Sequence, residues 1–396
     1  MDEIQRALQI RLEQDAKDFR VVTILGPRQA GKTTLAKMTF SNYRYVSLEE
    51  PEKRELATND PKTFLRRFHP PVILDEVQRV PDLLSYVQGQ VDKNPDEKGQ
   101  FILTGSHQPL LRERIAQSLA GRTSILTLYP LSFYELLSHD PSLKKDTAHR
   151  WIFRGFMPEI YRAGLNPNRT YQAYVQTYVE RDVRQLIQVK EQLVFERFLK
   201  LLAGRTGQLL NLDSLASDVG VSAKTIRNWV SVLEASFILF RLPPYFKNLG
   251  KRLIKTPKIY FTEVGMATYL LGIESPEQVE RDPLYGNLFE NMVLMELVKF
   301  RTAQGKNPEL YFYRDSHGNE IDVITEITRS GIPIEIKSSA TFQKHLLRTL
   351  EFYHRSIDQS CEQSFLIYNG SSGALTERTQ GLHFTNSSKV FRDSQP

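Results

Sequence analysis

The chain has 396 residues, of which 40% are hydrophobic and 25% charged, a composition that excludes a mainly disordered or fibrous protein. This length predicts two to three domains, and a formal net charge of +6 is too small to indicate a partner by itself. The single cysteine, Cys361, excludes an intrachain disulfide and favours a reducing compartment. The charged first residues and the lack of a long apolar run predict neither a secretory signal nor a membrane span. We therefore expect a cytoplasmic protein without a membrane partner.

Short apolar runs alternate with helix-length segments in the first third of the chain, after an amphipathic helix predicted at 2–19. The runs that we interpret as strands are 21–25, 44–48, 72–74, 101–104 and 124–128. Strands that alternate with helices indicate a parallel α/β sheet covered on both faces. The pattern is then helical and rich in aromatic residues from 130 to about 187.

The remaining patterns divide the chain into five segments. A second helical unit runs to about Leu239, and a helix near 263–272 links it to a hairpin-rich α/β unit that starts with a helix at 288–300. The predicted segments are a parallel α/β core at 1–130, a helical lid at 131–187, a winged helix at 188–262, a linker at 263–283 and a second α/β domain at 284–396.

A phosphate-binding loop is predicted directly after the first strand. The sequence from Gly26 to Thr33 fits G-x-x-x-x-G-K-[ST], with an apolar strand before it and a helical pattern after it. Its two glycines let backbone N–H groups point at phosphate oxygens, and the helix N-terminus adds a favourable dipole. Lys32 is expected to reach the β- and γ-phosphates of ATP, and the Thr33 hydroxyl to bind Mg²⁺. The predicted nucleotide-binding residues are Gly26, Pro27, Arg28, Gln29, Ala30, Gly31, Lys32, Thr33 and Thr34.

Two further strands end in polar residues that suit the same site. The strand Val72–Leu74 runs into Asp75 and Glu76, at the edge where ligands bind in open α/β sheets. We expect Asp75 to hold Mg²⁺ through water and Glu76 to polarise the attacking water. Thr104 and Ser106 end another strand, where a hydroxyl can position that water.

The motifs GPRQAGKT, ILDEVQRVP, LTGS, SLAGR and YPLSFYEL, in this order, resemble the prokaryotic AAA-type ATPases that carry a C-terminal domain of unknown function. The resemblance covers essentially the whole chain. It implies the P-loop fold in which the polar strand is inserted between the loop strand and the acidic strand. It also implies a homo-oligomer, such as a hexameric ring, in which a neighbouring subunit supplies an arginine.

Several arginines are candidates for roles that the resemblance implies. Arg122, just before the fifth strand, is the predicted trans-acting arginine, because a guanidinium stabilises charge on γ-phosphate oxygens. Arg112 and Arg114 are nearby alternatives. In the lid, Arg154 and Arg162 are alternatives for a second sensor arginine, since Glu159 follows the proline and breaks the usual pattern.

A helix-turn-helix is predicted at 212–230. Apolar residues mark the inner faces of two helices, Gly220 makes the turn and Ser222 caps the second helix. Lys224, Thr225, Arg227 and Asn228 are left outward near the start of that helix, where recognition helices contact DNA.

The positive charge is concentrated in this region. Residues 181–260 carry a net charge of +8, whereas the rest of the chain sums to −2. The stretch 241–260 contains basic and aromatic residues but no acid, which favours phosphate contacts over the alternative of a solvated assembly face. Its predicted DNA contacts are Lys247, Lys251, Arg252 and Lys255.

A carboxylate pattern near the C-terminus predicts a Mg²⁺ nuclease site. Glu335 and Lys337 alternate on a strand and share a face, Asp322 lies on a neighbouring strand, and Glu290 approaches from the helix. The carboxylates are expected to hold the metal and Lys337 to orient water. The pattern resembles the PD-(D/E)xK nuclease superfamily, which includes Holliday-junction resolvases and restriction enzymes. The alternative is a nuclease fold that only binds DNA or protein.

Three functional hypotheses follow. The first is an ATP-driven machine that acts on DNA, with resemblance to resolvases and ring motors implying branched DNA or recombination and repair intermediates. The second is a nucleotide-dependent switch that holds protein partners in signalling or defence. The third is a metal-dependent nuclease gated by ATP.

Overall fold

Four structural units follow one another along the chain: a parallel sheet with its helices, a helical unit, a small helix-and-strand unit, and a second sheet. The computed structural model describes residues 3–106, 109–183, 192–245, 255–326 and 331–391, except for the side chains at 109, 110, 112 and 180–183. Across those ranges, no helix combines the length and apolar character needed to cross a membrane.

The first unit is built on a parallel five-stranded sheet. Its strands are β1 (Val21–Gly26), β2 (Arg44–Ser47), β3 (Val72–Asp75), β4 (Phe101–Ser106) and β5 (Thr123–Thr127). They lie in the order β2-β3-β4-β1-β5, and Phe101 of β4 is in register with both Val21 and Val72. The polar strand therefore lies between the loop strand and the acidic strand, which confirms the arrangement that the family resemblance implies.

Helices cover both faces of this sheet, as the alternating pattern predicts. They are α1 (Gln9–Asp18), α2 (Lys32–Thr39), α3 (Pro51–Asn59), α4 (Pro61–Arg67), α5 (Leu83–Val91) and α6 (Pro109–Ser118), with a 3₁₀ turn at Val77–Arg79. Successive residues of β1 point to opposite faces. Val21 and Leu25 enter one apolar cluster and Val22 and Ile24 another, so the sheet is buried on both sides.

The second unit, predicted as a lid, is helical. It contains α7 (Phe133–His139), a 3₁₀ turn at Pro141–Lys145, α8 (Ala148–Arg154), α9 (Pro158–Ala163), α10 (Pro167–Tyr174) and a π-helical stretch at Val175–Val183. Trp151 is at its centre, with ring centroids 5.0 Å from Phe133 and 5.9 Å from Phe156. The aromatic residues noted in the sequence thus form the core of this unit.

The third unit combines helices with a small sheet. It contains α11 (Gln192–Ala203), β6 (Gln208–Leu209), α12 (Leu212–Val219), α13 (Ala223–Ala235), β7 (Leu239–Leu242) and β8 (Lys258–Phe261). Gly220 makes the turn between α12 and α13 at φ 84°, and the Ser222 hydroxyl accepts a hydrogen bond from Thr225 N, as the sequence predicts. The strands are antiparallel in the order β6-β8-β7. Much of the predicted wing, 246–254, lies outside the described residues.

The segment 263–283, predicted as a linker, contains two helices packed into the structure. These are α14 (Val264–Leu270) and α15 (Pro276–Arg281). Before them, buried Glu263 accepts hydrogen bonds from Phe156 N at 3.0 Å and from the Tyr171 hydroxyl at 3.0 Å. The segment is therefore fixed to the lid through a buried carboxylate.

The C-terminal unit is a mixed sheet packed against a long helix. Its elements are α16 (Tyr285–Ala303), β9 (Leu310–Arg314), β10 (Glu320–Thr325), β11 (Ile332–Lys337), a 3₁₀ turn at Lys344–Leu347, α17 (Arg348–Ser356), β12 (Ser364–Tyr368), β13 (Gly373–Ala374), β14 (Thr379–His383) and a 3₁₀ stretch at Phe384–Phe391. The strand order is β13-β14-β12-β11-β10-β9. The pairs β9–β10 and β10–β11 are antiparallel, and β11–β12 and β12–β14 are parallel.

One continuous apolar core joins the last three units. It includes Trp151 of the lid, Trp229 of α13, Val293 of α16 and Phe365 of β12. The third and fourth units also join at their edges, because Tyr245 N donates to Phe312 O at 2.7 Å. The N-terminal sheet keeps its own two clusters.

Candidate functional site

The predicted phosphate-binding loop connects β1 to α2 with the backbone conformation that such a loop needs. Gly26 has φ 156°, and a Cβ at this position would lie 2.1 Å from Leu128 O. Gln29 and Gly31 have φ 61° and φ 90°. These left-handed conformations curl the loop so that its N–H groups lie at the start of α2.

Lys32 is the first residue of α2 and its ammonium lies inside the loop. It is buried, and Nζ donates to Gly26 O at 3.1 Å and to Pro27 O at 2.7 Å. Burial lowers the pKa of Lys32 to about 8, against the opposing effect of the Glu76 and Asp75 carboxylates. A phosphate group is a stronger acceptor than these carbonyls and would complete the solvation of the ammonium.

The carboxylate of Asp75, at the end of β3, accepts hydrogen bonds from three hydroxyl groups. Thr33 Oγ1 donates to its Oδ1 at 2.8 Å, the Tyr45 hydroxyl donates to its Oδ2 at 2.8 Å, and the Thr104 hydroxyl also donates to Oδ1. Carboxylate and hydroxyl oxygens are the ligands that Mg²⁺ prefers in nucleotide sites. Thr33 and Asp75, which the sequence proposes for this role, therefore fit the metal in chemistry and in position.

Glu76 is held beside them by a residue to which the sequence analysis gave no role. Glu76 has φ 59°, and its carboxylate accepts a hydrogen bond from Gln78 Nε2, which also donates to Ser106 Oγ at 2.8 Å. Burial raises the pKa of Glu76, and the ammonium of Lys32 opposes this shift. Gln78 lies in the ILDEVQRVP motif, so its position in that motif was a signal that could have identified it.

A cavity of about 990 Å³ lies between the loop and the lid. This volume is at the upper end of the range typical of small-molecule sites. The loop contributes Arg28, Gln29, Gly31, Lys32, Thr33 and Thr34 to its lining, and the lid contributes Pro158, Glu159, Arg162 and Arg169 among others. Six of the nine predicted nucleotide-binding residues thus line this cavity, and the other three, Gly26, Pro27 and Ala30, lie in the same loop.

The lid arginines differ in their relation to the cavity. Arg162 lines it and pairs with Glu159, with Nε 3.0 Å from Oε2. Arg154 instead donates to Asp146 at 2.8 Å and is not among the lining residues. Arg169, which the sequence analysis did not single out, lines the cavity from the start of α10.

Arg6 braces the loop from the N-terminal segment, and the sequence gave no signal for it. Its Nη1 donates to Ala30 O and its Nη2 to Tyr129 O, each at 2.6 Å. Its Nε donates to Glu135 Oε1 at 3.0 Å, and Ala7 N donates to the same oxygen at 2.8 Å. Arg6 thus connects the phosphate-binding loop to the first lid helix.

Helix α16 also binds the start of the lid, through two side chains that contact its backbone. Glu296 accepts a hydrogen bond from Phe133 N at 2.8 Å, and Lys299 Nζ donates to Leu131 O at 2.8 Å. Glu296 and Lys299 also pair with each other at 2.8 Å and are both buried. Buried ionic contacts from the C-terminal unit therefore reach the segment that Arg6 contacts.

Arg122 lies at the opposite end of the sheet from the loop of its own chain, because β1 and β5 are parallel and Arg122 precedes β5. Its Nε and Nη2 bind Asp92 at 2.7 Å and 2.8 Å, and Arg20 pairs with the same carboxylate at 3.2 Å. Arg114 pairs with Asp82 at 3.2 Å. The Arg112 side chain lies outside the described residues. Arg122 therefore lies away from the nucleotide site of its own chain and is bound to Asp92.

The predicted DNA-contacting residues are partly visible. Lys224, Arg227 and Asn228 are exposed at the start of α13, the Thr225 hydroxyl lies 2.8 Å from Ser222 Oγ, and Lys255 is exposed. Lys247, Lys251 and Arg252 lie outside the described residues. Two basic residues of the charged stretch are engaged internally: Arg241 pairs with Glu234, and Lys258 is buried among carboxylates. The free positive charge of this stretch is thus smaller than its composition suggests.

The predicted nuclease residues do lie close together, but two lysines lie among them. Lys337 Nζ is 3.0 Å from Asp322 Oδ2 and 2.5 Å from Glu335 Oε1. Lys258 Nζ is 3.0 Å from Glu290 Oε1. Within the part of the chain that the structure describes, no group of three or more His, Cys, Asp or Glu side chains is arranged to hold a metal ion. The expected metal set of Glu290, Asp322 and Glu335 is therefore not assembled.

The protonation of this cluster reflects burial and mutual charge. Burial and the neighbouring Asp322 raise the pKa of Glu335 to about 8, although the ammonium of Lys337 opposes this shift. Burial also raises the pKa of Glu290. Burial lowers the pKa of Lys258, but Glu290, Asp322 and Glu320 outweigh it and hold the pKa above its ordinary value. The lysines thus supply the positive charge that the carboxylates need.

The strand order, the loop with its buried lysine and the carboxylate at the end of β3 define a P-loop nucleotide-binding domain of the AAA type. The sequence profile of the AAA domain matches residues 18–137. Profiles described only as domains of unknown function match residues 145–277 (DUF8612) and 285–386 (DUF4143).

Relatives of this chain occur in a mycobacterium and in an archaeon. The uncharacterized protein Rv2008c of Mycobacterium tuberculosis is 32% identical over 326 residues, which is 81% of this chain and 71% of the relative. The chain belongs to the family of this mycobacterial protein. An uncharacterized protein of Methanocaldococcus jannaschii, MJ1637, is 23% identical over 388 residues, 86% of this chain and 80% of its own. Among solved structures, the Walker-type ATPase PABY2304 of Pyrococcus abyssi aligns with a TM-score of 0.45 and 15% identity, over 68% of this chain and 98% of that chain.

Proposed function

We propose that the protein is a Mg²⁺-dependent ATPase. The observation that carries the proposal is the convergence of Lys32, Thr33 and Asp75 at one end of the sheet, beside a cavity of about 990 Å³. Each of these side chains meets a different requirement of phosphoryl transfer. Lys32 supplies a cation for the phosphates, Thr33 a hydroxyl for the metal and Asp75 a carboxylate for the metal.

The residues of the loop bind and orient the triphosphate. Backbone N–H groups at the start of α2 donate hydrogen bonds to the phosphate oxygens, and the Lys32 ammonium exchanges its two carbonyl partners for them. Thr33 and Asp75 would hold Mg²⁺, which would supply positive charge to offset that of the phosphates. The hydroxyl of Thr33 and the carboxylate of Asp75 are already within 2.8 Å of each other, so little reorganisation is needed to hold it.

Glu76 is the residue that polarises the attacking water. Gln78 holds its carboxylate and also contacts Ser106, so the three side chains form one hydrogen-bonded row at the end of β3 and β4. Thr104 fixes Asp75 on the neighbouring side. A carboxylate held in this way accepts a proton from water as its oxygen attacks the γ-phosphate.

Measurement of phosphate release tests this proposal. The wild type should hydrolyse ATP only when Mg²⁺ is present, and Glu76→Gln should lower kcat by about 10²- to 10⁴-fold while ATP still binds. Glu52→Gln, an exposed carboxylate on α3, is the matched control and should keep the wild-type rate. A Glu76→Gln enzyme with the wild-type rate would contradict the assignment.

We further propose that hydrolysis takes place in an oligomer in which Arg122 serves a neighbouring subunit. Its support is the position of Arg122 at the far end of the sheet, where its own loop is out of reach. A closed ring would place this end of one subunit against the nucleotide site of the next. Sedimentation with and without ATP would reveal such an assembly.

DNA is the partner that we propose for the ATPase, with branched DNA as the preferred structure. The specific observation in favour is the exposed row Lys224, Arg227 and Asn228 at the start of α13, which follows a helix-turn geometry suited to a groove. The order of α11, β6, α12, α13, β7 and β8 is consistent with a winged helix. ATP turnover should be measured without DNA and with duplex, single-stranded and four-way-junction DNA.

If the rate of ATP turnover is the same without DNA and with each of the three DNA structures, the second hypothesis is favoured, a nucleotide-dependent switch for protein partners. Its structural support is the continuous core that joins lid, third unit and C-terminal unit, since such a core can transmit a nucleotide-dependent change. The nuclease hypothesis has no comparable support, because the carboxylate cluster among the described residues holds lysines in place of a metal set.

A further inference from the structure

The carboxylates of the C-terminal unit surround a lysine that comes from the third unit. Lys258 opens β8, and its Nζ lies 3.0 Å from Glu290 Oε1 and 2.6 Å from Glu320 Oε1. Its side chain is only 3% exposed. Tyr260, on the same face of the strand, donates to the same Glu290 oxygen at 2.5 Å. Two successive inward residues of β8 therefore bind the carboxylate that the sequence assigns to a metal.

The other half of the cluster is satisfied by Lys337. This residue pairs with Asp322 and Glu335, and Ile336 N donates to Asp322 Oδ2 at 2.8 Å. The two ammonium groups thus serve four carboxylates, and each carboxylate accepts from at least one of them. Buried carboxylates are stable when paired in this way.

We propose that Lys258 is the resident cation of this site: its ammonium takes the place of the divalent metal that the carboxylate pattern predicts, and it joins the third unit to the C-terminal unit. In this arrangement the C-terminal unit binds no divalent cation at Glu290.

A divalent metal ion and a lysine ammonium need different arrangements of ligands. Mg²⁺ requires six oxygen ligands in near-octahedral geometry at about 2.0–2.1 Å. An ammonium donates up to three hydrogen bonds at ordinary distances, which is what Glu290 and Glu320 receive. A metal on Glu290 would face the positive charge of Lys258 at close range. It could bind only after Lys258 leaves and becomes a buried or newly hydrated unpaired charge.

The surrounding backbone keeps Lys258 in place. Strand β8 is the central strand of its sheet, with Lys258 in register with Leu209 on one side and Leu242 on the other. Just beyond β7, Tyr245 N donates to Phe312 O at 2.7 Å and Phe312 N donates to Pro243 O at 3.0 Å. The third unit is thus attached to β9 at Phe312, and the pairing of β8 with both its neighbours fixes the backbone from which Lys258 extends.

Titration of the nucleotide-free full chain with Mn²⁺, followed by calorimetry and electron paramagnetic resonance, tests the proposal. The wild type and Glu290→Gln should bind Mn²⁺ equally, because Glu290 holds no metal. Lys258→Met, which keeps chain length and removes the charge, should gain one Mn²⁺ site at least about tenfold tighter than any in the wild type, and the additional Glu290→Gln change should abolish it.

Lys255→Met is the matched control, since it removes one exposed positive charge three residues away and should gain no site. A Mn²⁺ site in the wild type that Glu290→Gln removes would overturn the proposal. So would a folded Lys258→Met protein with unchanged Mn²⁺ binding. If Lys258→Met fails to fold, the comparison of the wild type with Glu290→Gln still decides, because it does not depend on that variant.

Discussion

Arg6 and Glu135 form a buried ion pair, with Nε 3.0 Å from Oε1 and side chains only 7% and 5% exposed. Glu135 is also the residue that closes the capping box of α7 by accepting a hydrogen bond from Ser132 N. The two terminal nitrogens of the Arg6 guanidinium donate hydrogen bonds to Ala30 O of the phosphate-binding loop and to Tyr129 O. One arginine thus sets the relative position of the loop and the first lid helix.

Arg6→Ala should therefore impair both stability and nucleotide binding. Loss of the guanidinium leaves Glu135 buried without its partner, which typically costs about 3–5 kcal/mol in the free energy of unfolding. It also frees the Ala30 carbonyl, so the loop loses its fixed geometry and KM for ATP should rise about tenfold. Denaturant unfolding and steady-state kinetics measure the two effects.

The double variant Arg6→Met, Glu135→Gln separates these effects. Removal of both charges should recover part of the stability, whereas KM should stay high because nothing braces Ala30. A double variant with wild-type KM would show that Arg6 acts on stability alone.

Gln78→Met should lower kcat with little change in ATP affinity. Gln78 is the donor that holds Glu76 and Ser106 together, and methionine keeps the volume without the hydrogen bonds. We expect kcat to fall about 10- to 100-fold, since Glu76 remains but is no longer oriented. Gln117→Met, on the exposed side of α6, is the control. An equal loss of affinity and rate in Gln78→Met would indicate damage to the whole site instead.

Arg122→Ala should keep ATP binding and lose hydrolysis if the residue acts in trans. Asp92→Asn provides the comparison, because it removes the intramolecular partner but leaves the guanidinium. A structural role predicts the same small stability loss in both variants and normal turnover in both. A catalytic role predicts loss of turnover only in Arg122→Ala, by about 10³-fold or more. Normal turnover by Arg122→Ala would reject the trans role.

ATP binding should become weaker above pH 8. The pKa of Lys32 is lowered from 10.5 to about 8 without nucleotide, and the phosphates favour the charged form. Binding therefore takes up a proton when the pH exceeds this value, and affinity should fall by up to about tenfold per pH unit. Calorimetry in buffers of different ionisation enthalpy measures the uptake. Lys32→Arg stays charged, so its affinity, although weaker, should not fall in this way; an equal decline would assign the effect to another group.

The same shift affects stability with a defined sign. Since the folded pKa of Lys32 lies below the unfolded value of 10.5, the unfolded chain holds more protons between pH 8 and 10.5. The contribution of this group to the free energy of unfolding therefore rises with pH across that window.

Lys224→Glu with Arg227→Glu should weaken binding of DNA and flatten its dependence on salt. Each lost phosphate contact reduces the slope of log K against log salt by about one. Lys93→Glu with Lys98→Glu makes the same charge change at exposed positions of the first unit and should leave binding intact. Fluorescence anisotropy at several salt concentrations compares them. Equal losses in both pairs would point to net charge rather than a DNA-contacting face.

The nucleotide site was largely predictable because its chemistry is local in sequence. The predicted nucleotide-binding residues lie within one stretch of nine, and Asp75, Glu76, Thr104 and Ser106 lie at the ends of apolar strands. Parallel strands bring their carboxyl ends to one edge, so the pattern itself predicts the meeting of these side chains. The strand order came from the family resemblance.

Contacts between distant segments were not predictable in the same way. Arg6 and Glu135 are 129 positions apart, and nothing near either residue marks the pair. Lys258 was counted as part of a basic, DNA-facing stretch, because its partner Glu290 lies 32 positions further on. Composition records charge, but only the fold shows which charges are already neutralised.

The division of the apolar cores has a consequence for motion. The first sheet keeps two cores of its own, whereas the lid, the third unit and part of the C-terminal unit share another. The chain passes from the first unit into this shared core near Tyr129, and the crossing is held from one side by Arg6 and from the other by Lys299. If the lid closes over a nucleotide, the third unit and the C-terminal unit would move with it, because they share its apolar core.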